Sequence, residues 1–185
     1  MTFTQLNLPG VWLLDADTFV DDRGSFTRLW MPDELAARGL ETVVSQCSMA
    51  SNRRRGTIRG MHYQLAPFEE VKVVRATRGA IFDVAVDLRP DSPTYRQWTG
   101  VELSADNRRA LYLPRGVAHG YQTLSDDADV LYLISAPYAP NHQRGVRWND
   151  PAFGIDWPLG APTIINTRDA EYPDYVERAF GAADL

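Results

Sequence analysis

Cysteine is nearly missing from this sequence: Cys47 is the only one in 185 residues. No internal disulfide can form, which excludes a cross-linked secreted scaffold and points to a reducing, cytoplasmic setting. Nothing around Cys47 signals an activated thiol, so it reads as a buried structural residue. Long apolar runs are also missing. None approaches the roughly 20 residues a membrane helix needs, and the opening MTFTQLNLPG lacks the charged-then-apolar plan of a signal peptide. There is no surplus of positive charge either. Nineteen Lys and Arg stand against 24 Asp and Glu, a net charge of −5, which argues against nucleic acid or anionic lipid as a partner. Repeats and low-complexity segments are absent. What remains is a globular composition, 44% hydrophobic, that fits one domain over residues 1–185 with a proper core.

Helical patterning is scarce as well. Pro32–Gly39 reads as one short helix, with Pro in its first turn and Gly as its stop, and a second is expected near Asp174–Phe180. The remaining punctuation is that of an all-β protein. Candidate strands are Val11–Leu14, Val43–Ala50, Thr57–Gln64, Val71–Thr77, Ala80–Leu88, Trp98–Leu103, Ala110–Leu113, His119–Leu124 and Val130–Ser135, with turn residues between them. Many short strands at this spacing predict a sandwich or small barrel. Alternation puts Ile58, Gly60, His62 and Gln64 on one face of their strand. Val130–Ile134 is apolar on both faces apart from Tyr132. Such a strand needs a barrel interior on one side and a covering layer on the other, for which a second subunit is one source.

Three histidines occur. His142 reads as a loop residue. His62 and His119, both on strands, raise the question of a metal. The stretches Gly60…Gly79 and Asn107…Thr123 resemble the two motifs of the cupin barrel. A metal-binding cupin offers His-x-His and then Glu in the first motif, and a further His in the second. Here Gln64 stands where the second His belongs, with Glu69 or Glu70 as the acid. Two imidazoles and one carboxylate are a thin ligand set, and Gln is a poor transition-metal ligand beside imidazole. The metal-free reading is the better one.

A closer resemblance runs along almost the whole chain. Asp22-Arg23-Gly24-Ser25-Phe26, Gly56 through Gln64, Asp83 through Arg89, Ser92-Pro93-Thr94, Leu113 through Gly120 and Trp148-Asn149-Asp150-Pro151 occur in order, with Arg168-Asp169 near the end. The ordered set resembles the dTDP-4-dehydrorhamnose 3,5-epimerase family. That resemblance implies a metal-free cupin-type jelly roll, a homodimer, and action on a nucleotide-linked 4-keto-6-deoxy sugar without a cofactor.

The chemistry accounts for the residue types. A keto group acidifies the protons on its neighbouring ring carbons. Epimerisation removes one of them and returns a proton to the opposite face. A base, an electrophile for the enolate and an acid are needed. By resemblance His62 is the base, since an imidazole titrates near neutrality, and Asp169 its carboxylate partner. Lys72 is the electrophile, Tyr132 the proton donor, and His119 and Asp83 support them. Arg59 and Arg23 match diphosphate contacts, suited by the guanidinium fork, with Arg23 reaching toward a partner subunit. Phe26 belongs to the same motif as Arg23. Gln46 matches a contact near the nucleotide, and Tyr138 is placed to stack on a base.

Three positions depart from the usual pattern. Arg28 replaces an acidic residue, Ser48 replaces an Asn, and Asn166 opens the closing Ser-x-x-Asp motif. The first two leave the nucleotide open, and single and double epimerases share the same catalytic residues. A 3,4-ketoisomerase of the same sugars, a metal-dependent cupin oxygenase and a non-catalytic sugar-binding module are the other readings of this scaffold.

Overall fold

Residues 1–176 are described by a computed structural model. The strands among them are, in chain order, β1 (Thr2–Gln5), β2 (Trp12–Asp15), β3 (Thr18–Asp21), β4 (Gly24–Thr27), β5 (Gln46–Asn52), β6 (Ile58–Gln64), β7 (Lys72–Arg78), β8 (Ala80–Asp87), β9 (Trp98–Ser104), β10 (Ala110–Leu113), β11 (Val117–Thr123), β12 (Ala128–Ile134) and β13 (Gln143–Gly145). Two short helices, α1 (Pro32–Ala36) and α2 (Thr167–Ala170), complete the inventory. No helix among the described residues is long and apolar enough to cross a membrane. The second expected helix is a miss. Residues 174–176 are irregular, the rest of that stretch lies outside the described residues, and the helix sits earlier, at α2.

The strands form two facing antiparallel sheets. One runs β1-β2-β10-β7-β12-β5 and the other β13-β6-β11-β8-β9, while β3 and β4 form a separate hairpin. This is the expected all-β jelly roll, with its sheets left open at their edges. Between the sheets lies the main core. Val74, Leu111 and Val130 from one sheet meet Ile81, Ala85 and Tyr121 from the other. Strand alternation then leaves each sheet with a second apolar face. Val84 and Val86 point outward and are covered by the chain's own later segment, through Val146, Phe153 and Trp157. On the other sheet, Val71, Val73 and Tyr112 are covered by Leu35 of α1. Leu133 of β12 joins that cluster at its edge. Much of the covering layer is thus intramolecular, although Val43, Met49 and the hairpin's Phe19, Val20 and Phe26 stay exposed.

The strands missed by the sequence reading are β1, β3, β4 and β13. Their side chains are mostly outside the core, so no apolar alternation marks them. Cys47 is a correction. It is exposed because edge strand β5 turns its neighbours Gln46 and Ser48 into the cavity, leaving the thiol on the outer face.

The face predicted for β6 is also corrected. Tyr121 pairs with Arg59 and His119 with His62, so two steps along β11 match three along β6. This bulge resets the alternation. Ile58 and Met61 pack outward, while Arg59, His62 and Gln64 all face the cavity. Glycine permits the bulge. Gly60 has φ +133°, and a Cβ there would lie 2.5 Å from the Gly120 Cα. We therefore expect Gly60→Ala to cost about 2 kcal/mol or more, seen as a Tm lowered by about 4–8 °C in thermal denaturation. An unchanged Tm would show that the close crossing of β6 and β11 is not required.

Candidate active site

Between the sheets opens a cavity of about 390 Å³, lined by His62, Gln64, Lys72, His119, Tyr121 and Tyr132, with Arg59, Gln46, Ser48, Glu70, Tyr138 and Gln143 toward its mouth. β6 and β11 deliver the two histidines side by side, in register. β7 and β12, on the facing sheet, deliver Lys72 and Tyr132.

His62 meets Asp169 across a sequence separation of 107, with Nε2 2.8 Å from Oδ1. The carboxylate can only accept, so this nitrogen carries the proton. The expected pair is therefore in contact. Asp169 comes from α2, whose segment is pinned to the start of β6. The Thr163 amide donates to the Gly56 carbonyl at 2.8 Å, and the Ile58 amide to that of Ile164 at 2.9 Å. Asn166, the departure in the closing motif, caps α2 by accepting the Asp169 amide at 2.7 Å. Asn caps a helix as well as Ser does, so the departure keeps Asp169 in place. The second carboxylate oxygen accepts the Gly60 amide at 3.1 Å. Burial works to raise the Asp169 carboxyl. Its bonds to His62 and Gly60, and the charge of Arg168, outweigh burial and hold it below the ordinary carboxylate range.

A second imidazole–carboxylate pair lies deeper. His119 Nε2 is 2.7 Å from Asp83 Oδ1, and both side chains are buried. Here burial wins. It pushes the Asp83 carboxyl above its ordinary value, while His119 and Lys72 pull back only in part. Tyr132 stands edge-on to His119, with ring centroids 6.0 Å apart. Its phenol is pushed well above the ordinary value, first by burial and then by neighbouring Tyr121 and Asp83. Tyr121 in turn donates to Asn52 Oδ1 at 3.2 Å. Lys72 is not a solvated strand lysine: it is buried, with its ammonium 2.7 Å from Glu70 Oε1.

Of the residues expected to hold substrate, Arg59 lines the cavity mouth, its Nε donating to Asn52 Oδ1 at 2.8 Å. Gln46 Nε2 donates to the Ala136 carbonyl at 2.7 Å. Tyr138 stands exposed at the edge, its hydroxyl bonded to Gln143 Oε1 at 2.8 Å. Arg23 and Phe26 do not join them. Arg23 is exposed at the tip of the β3–β4 hairpin, ion-paired to Asp21 at 2.5 Å. Phe26 is exposed, with the Arg28 guanidinium 5.7 Å from its ring centroid. His142 packs against Phe68. Among the described residues, no three His, Cys, Asp or Glu side chains converge as a metal site would require. Sequence reasoning missed Tyr121, Asn52 and the pairing of Glu70. Tyr121 was findable, since it lies two residues from His119 on the same strand face.

Comparison with known proteins bears on the whole chain. The family model for dTDP-4-dehydrorhamnose 3,5-epimerase matches residues 5–177. The dTDP-4-dehydrorhamnose 3,5-epimerase of Sinorhizobium fredii is 40% identical over 177 residues, covering 96% of this chain and 91% of that protein. Among solved structures, the Bacillus anthracis enzyme of that name, crystallised with TDP and PPi bound, aligns with a TM-score of 0.90 and 39% identity over 94% of this chain and 99% of its own. NovW of Streptomyces spheroides, a 4-keto-6-deoxy sugar epimerase from the novobiocin gene cluster, aligns with a TM-score of 0.89 and 38% identity over 94% and 87%. Motif order, fold and full-length similarity agree, and the chain belongs to the dTDP-4-dehydrorhamnose 3,5-epimerase family.

Proposed function

We propose that this chain inverts one or both carbons beside the keto group of a dTDP-linked 4-keto-6-deoxy sugar, in deoxysugar biosynthesis. One observation carries the reading. An imidazole and a buried phenol stand on facing sheets of one cavity, His62 on β6 and Tyr132 on β12. A sugar ring between them meets a base on one face and an acid on the other.

In this reading the sugar binds with its activated C–H toward His62. The ring nitrogen away from Asp169, Nδ1, takes the proton, and Asp169 steadies the imidazolium as it forms. The electron pair left on carbon moves onto the keto oxygen, where the Lys72 ammonium stabilises it. Tyr132 returns a proton to the opposite face, and the keto group reforms. The resulting phenolate and imidazolium exchange protons with solvent between turnovers. No electrons are gained or lost. His119 and Asp83 support the floor of the site, and Arg59, Gln46 and Tyr138 receive the diphosphate and nucleobase. Residues 1–185 act as one domain, in the cytoplasm. The exposed Phe19, Val20, Phe26 and Met49 support a homodimer, in which the hairpin carries Arg23 to the partner's cavity mouth. Sedimentation should give a dimer. A monomer at working concentration would remove that part.

The direct test is solvent-deuterium wash-in to dTDP-4-keto-6-deoxyglucose, with NMR of the product. Replacing the base (His62→Ala) should slow wash-in about 10²–10⁴-fold, and Tyr132→Phe should block epimer formation. Exchange and inversion at the wild-type rate in both variants would falsify the assignment. Product analysis also separates epimerisation from 3,4-ketoisomerisation.

The pH dependence follows from Tyr132. Its raised phenol stays protonated at and above pH 10.0, the ordinary tyrosine value, so it remains a donor across the neutral and alkaline range. Ultraviolet difference titration should show the same phenolate signal in wild type and Tyr132→Phe up to that pH. A missing ionisation in the variant below pH 10.0 would contradict the burial argument.

A further inference from the structure

The rim of the cavity holds a set of contacts that the epimerase mechanism leaves unused. Gln64 occupies the slot of a cupin metal ligand, yet its side chain is fully engaged. Its Oε1 accepts the Ala139 amide at 2.7 Å. Its Nε2 lies 2.9 Å from the Phe68 carbonyl, 3.1 Å from Glu70 Oε2 and 3.2 Å from the Pro137 carbonyl. Three acceptors crowd an amide nitrogen with two hydrogens, so only one orientation of the amide fits. Glu70 is thereby fixed through one oxygen. Its other oxygen meets the Lys72 ammonium at 2.7 Å, with both side chains only 11% exposed.

Lysine carries a point charge on a flexible four-carbon stem. A developing oxyanion needs that charge at a set place, since stabilisation comes from donors fixed in advance of the reaction. A second carboxyl group offers it another acceptor. Asp83, deeper in the cavity, interacts electrostatically with Lys72, and its Oδ2 is buried without a hydrogen-bond partner among the described residues. Without the Glu70 bond, the ammonium is free to turn toward that buried oxygen.

Building on the epimerase reading, we propose that Glu70 is a positioning residue for Lys72. Held by Gln64, it keeps the ammonium level with the substrate's keto oxygen, and the same glutamine ties that placement to the 137–139 segment bearing Tyr138. Glu70 touches no reacting atom. Its carboxylate is required, because a Gln at 70 would lose the charge at Lys72 and set an NH₂ group against the Gln64 NH₂ in one of its two orientations.

The test uses the full chain with dTDP-4-keto-6-deoxyglucose. Replacing the carboxylate (Glu70→Gln) should lower kcat about 10- to 100-fold, the scale of a misplaced catalytic group, with KM unchanged. Glu70→Asp keeps the charge one methylene shorter and should recover part of the loss. Gln64→Ala should lower kcat and also weaken calorimetric binding of dTDP, whereas Glu70→Gln should leave dTDP binding as in wild type. Wild-type kcat in Glu70→Gln, Glu70→Asp as slow as Glu70→Gln, or kcat and KM shifting together would overturn the proposal. Absence of wash-in by the wild-type chain is a different failure. It would remove the epimerase reading on which this one rests.

Discussion

The bond between His62 and Asp169 is the constraint around which this structure is arranged. It joins β6 to a four-residue helix, α2, across a sequence separation of 107. Several features exist in the form needed to let it happen. The later segment lies over the outer face of the β6 sheet and buries Phe153 and Trp157 there, so apolar burial brings Asp169 to the site. The backbone bonds between 163–164 and 56–58 fix its register, and Asn166 fixes its helix. On the other side of the bond, the β6 bulge turns His62 inward.

The two histidine–carboxylate pairs share a geometry and differ in electrostatics. Asp169 is held in its charged form by donors that outweigh burial. Asp83 is pushed toward its neutral form because burial outweighs its neighbours. A carboxylate that stays charged suits an imidazole that must pick up a proton, which favours His62 over His119 as the base. The deeper pair lies beside Tyr132, whose phenol is kept protonated first by burial and then by Tyr121 and Asp83. In the proposed mechanism, one cavity thus keeps its proton acceptor, His62, and its proton donor, Tyr132, in different electrostatic settings.

Much of this was legible in the sequence, for identifiable reasons. The strands that carry core residues on alternate positions, β6 to β12, were found within a few residues of their ends, because the apolar period records their burial. The hairpin β3–β4 and the edge strands β1 and β13 bury little, and pairing alone leaves no such record. Register escaped as well. The bulge that puts Arg59 and His62 on the same side depends on how Gly60 meets Gly120, a contact between strands that one strand's pattern does not encode. Cys47 was misread because thiols are usually buried, and its exposure follows from β5 lying at a sheet edge. The site divides in the same way. Lys72 and Tyr132 stood out as polar residues on apolar strands, and family resemblance supplied their roles and that of His62. Asp169 was joined to His62 by family resemblance, and the role proposed for Glu70 rests on contacts with Gln64 and Lys72 that only the fold brings together.

The order of the chain gives the late position of Asp169 a temporal meaning. Every strand that walls the cavity is translated before the Asp169 carboxylate that pairs with His62. A nascent chain still short of α2 lacks the carboxylate of that pair. Its His62 has no carboxylate at Nε2 to orient it, although Val146, Phe153 and Trp157 of the covering layer are already made. Synthesis of α2 is therefore the step that supplies the missing half of the His62–Asp169 bond.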